Sequence, residues 1–157
     1  DLHRLSIAKR SNPQTNLESE TVAARYTSDS GQTIGTTFTT LIYEDEKSST
    51  HGVYNTSTGI GEIQENGFYT FHASYLSPAV LLNGSQFQRI TININGSPES
   101  VGLIRGSGNN VSRQVATSIA SIYLEKGDTF SISGTGSVAG GMAVSSEYNH
   151  LSFARIK

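Results

Sequence analysis

The stretch Thr58–Leu76, TGIGEIQENGFYTFHASYL, gathers aromatic residues more densely than any other part of the chain. Read by alternation, it is a short strand, a turn at Glu65-Asn66-Gly67, and a long strand. The inner face of the long strand is Tyr69, Phe71, Ala73 and Tyr75. Residues two apart share one face of a strand, so this stripe is buried only when a second layer covers it. The expectation is the central strand pair of a β-sandwich, with the rest of the chain wrapped around it.

The flanking sequence supplies neighbours of suitable length. Thr21–Ser28 and Phe38–Glu44 are rich in β-branched and aromatic residues. Asp45–Gly52 reads as a polar loop, and Pro78, which has no N–H for a ladder, predicts an end to the long strand. Phe87–Asn95 alternates Ile90, Ile92 and Ile94 with Thr91, Asn93 and Asn95, and Asn95-Gly96 turns it. Val111–Leu124 is long enough for a helix, but its β-branched residues favour a strand. Phe130 and Ile132 alternate with serines, and Met142–Val144 and His150–Ile156 close the chain. The sum is about ten short strands with a turn signal every eight to twelve residues, the spacing of an antiparallel sandwich or barrel. No fixed-period repeat and no strand–helix alternation points to a propeller, a solenoid or an α/β fold.

Composition agrees. The chain has 157 residues, a length that favours one domain. Hydrophobic residues are only 35% and charged residues 15%, and the difference is made up by Ser, Thr, Asn, Gln and 16 Gly. Disorder needs high net charge and few β-branched or aromatic residues, whereas the net charge here is −2. A charge so near zero, without a basic stripe, argues against nucleic acid as a partner. With no cysteine there are no disulfides, cysteine–zinc sites or thiol catalysis, and the style leans towards a bacterial or viral source. No apolar run reaches the roughly 20 residues of a membrane span, so no membrane insertion is expected. The opening Asp1-Leu2-His3-Arg4 has no apolar core of a signal peptide. Residues 1–19 read as an extended arm or the end of a fibrous stalk, and 20–157 as the head.

No catalytic constellation is visible, so no enzyme activity and no cofactor are expected. The histidines His3, His51, His72 and His150 have no metal-motif spacing. Asp45, Glu46 and the more distant Glu62 and Glu65 have the residue types of a glycosidase acid pair but read as solvated loop charges. Ser133-Gly134-Thr135-Gly136-Ser137 lacks the Lys and helix of a phosphate loop, and is read as a hairpin or bulge. The glycosylation acceptor triplets at Asn55, Asn83 and Asn110 are those expected by chance in so Asn-, Ser- and Thr-rich a chain.

From Tyr54-Asn55 through Thr58-Gly59 to Gly67-Phe68-Tyr69-Thr70-Phe71, the chain resembles the C1q/tumour necrosis factor-like jelly roll. The turn Leu124-Glu125-Lys126-Gly127-Asp128 and the closing Leu151–Ile156 match it too, although the Gly that follows the Phe in that family is Ala154 here. The resemblance implies an all-β, antiparallel jelly-roll sandwich of about ten strands that assembles as a homotrimer. Within the family, the Cys-free, Ser/Thr/Asn-rich style and the SFARIK ending look most like the knob of a phage tail fibre or tail needle. That implies attachment to a host-surface glycan or protein, at a virion tip. The alternatives are the trimerisation cap of a bacterial surface filament and a secreted C1q/TNF-like ligand. Tyr69, Phe71, Tyr75 and Phe153 are the expected core and trimer residues, Tyr75 being nearest the threefold axis. The receptor-binding candidates are Asn83, Gln86, Arg105, Asn109, Asn110 and Arg113, from two loops rich in donors and acceptors.

Overall fold

The computed structural model describes residues 21–81, 83–106, 108 and 110–156. The expected arm over residues 1–19 lies outside the described residues. Among the described residues there are thirteen strands and no helix. In chain order they are β1 (Ala23–Thr27), β2 (Gln32–Ile34), β3 (Thr39–Thr40), β4 (Asp45–Ser49), β5 (Tyr54–Asn55), β6 (Ile60–Glu62) and β7 (Gly67–Leu81). Then follow β8 (Phe87–Ile94), β9 (Ser97–Arg105), β10 (Asn110–Leu124), β11 (Thr129–Gly136), β12 (Gly140–Met142) and β13 (His150–Ile156).

The first sheet runs β10-β7-β13-β1-β4 and the second β5-β6-β11-β8-β9, with β3 beside β11 beyond the end of β6. Every pairing is antiparallel. A small third sheet joins β2 to β12. The inner faces of the two large sheets meet in one core. Phe130 of β11 sits at its centre, with ring centroids 5.1 Å from Phe71 and 4.9 Å from Phe153. Gly61 lies opposite, where any Cβ would collide with the Phe130 ring. Each buried aromatic contributes on the order of 2–3 kcal/mol by leaving water.

Buried tyrosines need partners for their hydroxyls. Tyr43 donates to the Ser74 carbonyl at 3.0 Å, and the Tyr54 hydroxyl accepts the Tyr43 N–H at 3.1 Å. Burial pushes the Tyr43 and Tyr75 hydroxyls well above their ordinary range and Tyr54 up to about 12. The Asn95-Gly96 turn takes positive φ at both residues, 49° and 79°, which matches the twist of a two-residue hairpin between β8 and β9.

Five details depart from the sequence reading. Thr58–Leu76 is not a strand pair: β6 joins the second sheet and β7 the first, so residues 63–66 cross between layers. Within Phe38–Glu44 only Thr39–Thr40 is strand, although Leu41 and Tyr43 are fully buried. Asp45–Ser49, read as loop, is an edge strand paired with β1; water on both sides leaves it no apolar alternation to read. Pro78 does not end β7, because it falls where no ladder bond is asked of it. The β13 pairing stops at Ser74, and the β10 register shifts opposite this stretch. Beyond Ser74 the side chain of Asn149 takes over, accepting the Leu76 N–H at 2.8 Å and donating to the carbonyls of Ser28 and Ala143. The glycine-rich run is also no hairpin: β11 extends to Gly136, and β12 pairs with β2 instead.

Candidate functional site

Strand register brings the two expected binding loops together at one end of the sandwich. The β7–β8 turn is closed twice: the Gln86 N–H donates to the Asn83 carbonyl at 2.8 Å, and the Asn83 N–H to Gln86 Oε1 at 2.7 Å. The Gly106 N–H then donates to the Gln86 carbonyl at 2.8 Å, tying the β9–β10 connection to it. Arg105 pairs with Phe87, and Asn110 with Leu81. Asn83, Gln86, Arg105 and Asn110 therefore share one end, with Asn83, Arg105 and Asn110 exposed. Gln86 spends its acceptor oxygen inside its own turn. Arg113 is not a loop residue: it lies half-buried within β10, its N–H donating to Ser77 Oγ at 3.3 Å. Asn109 lies outside the described residues.

Tyr69, Phe71, Tyr75 and Phe153 all point into the sandwich of one protomer. Tyr75, expected near a threefold axis, is 0% exposed in a single chain, with its hydroxyl donating to the Arg89 carbonyl at 3.4 Å.

The two outer faces differ. On the first sheet the outward positions are Ala23 and Arg25 of β1, Thr70 and His72 of β7, and His150, Ser152 and Ala154 of β13. Their small size leaves a hollow of about 280 Å³ floored by Ala23, Thr70, Ser152 and Ala154 beside His72. His72 and His150 pack with ring centroids 5.4 Å apart. Burial, then the charges of His72 and Arg25, hold His150 below the usual imidazole pKa. At one end of this face Phe68 (53% exposed), Tyr123 (51%) and Ile156 form an apolar rim, Phe68 and Tyr123 meeting edge to face at 5.3 Å. Val101 and Leu103 of β9 and Val111 of β10 are also exposed, along the side where β9 and β10 meet.

The outer face of the second sheet carries hydroxyls and amides on β11 and β8, with the exposed Val101 and Leu103 of β9 beside Thr91 and Arg89. Thr129, Ser131, Ser133 and Thr135 of β11 alternate with the core residues Phe130 and Ile132. Thr91 and Asn93 of β8 stand beside them, and Asn93 Nδ2 donates to Ser133 Oγ at 2.9 Å. Phe38, Thr40, Asn93, Gly96, Pro98, Ser131 and Ser133 enclose a hollow of about 250 Å³. The Arg89 guanidinium lies 6.0 Å from the Phe38 ring and 5.0 Å from Phe87. A wider, open cleft of about 650 Å³ borders β5 and β6, lined among others by Asn55, Thr58, Ile60, Glu62 and Thr129.

The candidate acids do not converge. Asp45 and Glu46 belong to β4 in the first sheet, and Glu62 to β6 in the second. Among the described residues no group of three or more His, Cys, Asp and Glu is placed to hold a metal ion. Among them, too, no helix is long and apolar enough to cross a membrane.

No protein-family model matches the sequence, and no curated protein matches it. Solved structures do match the fold. The globular domain of zebrafish complement 1qA superposes with a TM-score of 0.64 at 15% identity, over 87% of this chain and 98% of that one. Eiger TNF from S. frugiperda gives 0.62 at 10% identity, over 87% and 93% of the two chains. Murine APRIL gives 0.62 at 11% identity, over 87% and 100%. With strand order, antiparallel pairing and these superpositions in agreement, the chain has the C1q/TNF-like jelly-roll fold.

Proposed function

We propose that this chain is the self-trimerising head of a longer fibrous protein, a knob of the phage tail-fibre or tail-needle kind that attaches to a host cell surface. The observation that carries the assembly is the placement of exposed apolar side chains. Phe68, Tyr123 and Ile156 rim the outer face of the first sheet, while Val101, Leu103 and Val111 line the β9–β10 side. Two different apolar surfaces on one protomer make a heterologous contact, which closes a ring when the rotation permits. The Cys-free, Ser/Thr/Asn-rich composition and the arm expected over 1–19 support the fibre reading. Asn83, Gln86, Arg105 and Asn110, together at one end of the head, are the loop residues offered to a receptor.

The role proposed is binding; Asp45 and Glu46 of β4 lie in the first sheet and Glu62 of β6 in the second. Sedimentation at micromolar concentration tests the assembly: a trimer is expected, and a stable monomer overturns it. Deleting the head from its parent fibre tests attachment. Lost host adsorption with normal fibre assembly supports it, and unchanged adsorption refutes it. A second reading, a secreted C1q/TNF-like ligand, is favoured by the fold shared with the complement, Eiger and APRIL domains. Binding to animal cells and not to bacteria would select that reading.

A further inference from the structure

We propose that the hollow on the outer face of the second sheet is a binding site for one neutral sugar unit of a glycan, with Phe38 as its stacking platform. This site lies apart from the loop end described above, and it stands whether or not the chain trimerises.

The first observation is Phe38 itself. It is 55% exposed on a chain whose other phenylalanines except Phe68 are at least partly buried. The Arg89 guanidinium lies over it at 6.0 Å, and over Phe87 at 5.0 Å. An exposed aromatic ring beside a polar hollow offers an apolar plate to the C–H face of a pyranose.

The second observation is the chemistry of the walls. Thr40, Asn93, Ser131 and Ser133 present hydroxyls and an amide, and no ionised side chain lines the hollow. Sugars need donors and acceptors interleaved at close spacing, and this set supplies both. Asn93 gives its Nδ2 to Ser133 Oγ and to the Ser131 carbonyl, which fixes the amide and turns Oδ1 to other partners. Ser133, accepting that bond, keeps its own hydroxyl hydrogen to donate. With the Arg89 guanidinium 6.0 Å from the Phe38 ring and no ionised side chain in the walls, the hollow favours a neutral ligand over a phosphate or a carboxylate.

Saturation-transfer NMR on the full chain tests this with glucose, galactose, mannose and N-acetylglucosamine, each at millimolar concentration. At least one is expected to receive saturation at its ring C–H protons. Phe38→Ala is expected to weaken binding at least tenfold, while Phe38→Tyr retains it. No transfer to any of the four overturns the proposal, as does transfer unchanged in a folded Phe38→Ala variant. Binding of glucuronate or sialic acid in place of the neutral sugars would overturn the assignment of a neutral ligand. Sedimentation of the same samples reads the oligomeric state separately, so the failure of one proposal is distinguishable from that of the other.

Discussion

The two outer faces of the sandwich are built on one rule and put to different use. Both sheets send alternate residues into the shared core, leaving the others outward. On the first sheet those outward residues are small or basic, Ala23, Arg25, Ser152, Ala154 and the His72–His150 pair, ending in the rim of Phe68, Tyr123 and Ile156. On the second they are hydroxyls and amides around Phe38, bordered by the exposed Val101 and Leu103 of β9. A flat surface of small side chains with an apolar rim suits close approach by another polypeptide. A lattice of short polar groups with one exposed ring suits a polyhydroxyl ligand. Under the two proposals made above, function is divided by face and is not confined to the loops.

The largest expected effect would break both faces together. Phe130 touches Phe71 and Phe153 of the first sheet from its place in the second, so Phe130→Ala is expected to cost about 3–5 kcal/mol. Urea unfolding with probes on each sheet should show one coincident transition at lower midpoint. Separate transitions would mean that the sheets do not share one cooperative core.

A smaller change separates the faces. Phe68→Glu combined with Tyr123→Glu places charge on the exposed rim of the first sheet. The trimer is expected to dissociate while the protomer stays folded, since exposed substitutions usually change stability by within about 0.5 kcal/mol each. Sugar binding at Phe38 should persist in this variant. Analytical ultracentrifugation beside circular dichroism reads both quantities, and an unchanged trimer would remove the first sheet from the interface.

The smallest effect is a pH slope confined to the first face. The folded pKa of His150 is held below the ordinary 6.5, so the unfolded chain takes up this proton first. The stability that this group contributes is complete above pH 6.5 and is lost as pH falls from there towards the lower, folded value. His72 and Arg25 are the charged groups that act on it. His150→Gln should flatten unfolding midpoints measured across that acidic window. An identical slope in the variant would assign the effect to other groups.

Much of the fold was legible from local pattern. The alternation of Tyr69, Phe71, Ala73 and Tyr75, the Ile90–Ile94 run and the Asn95-Gly96 turn each carried their structure in a few neighbouring residues. The site was less legible. Asn83 and Arg105 are far apart in sequence and share one end only because Phe87 pairs with Arg105. Phe38 looked like the start of a strand, and nothing local showed that it would lie exposed against Arg89.

By itself, then, the sequence determined the longer strands and their buried faces, because a period of two and the turn residues act over short distances. Which strands became neighbours was decided only in the tertiary structure. Glu65-Asn66-Gly67 reads the same whether it closes a hairpin or crosses between layers, and long-range pairing chose the crossing. Pro78 stayed in β7 because Asn149 and a register shift made its missing N–H harmless. The difference between the outer faces arose in the same way: outward residues are set by alternation, but their grouping into a rim, a histidine pair and a polar hollow depends on which strands lie side by side.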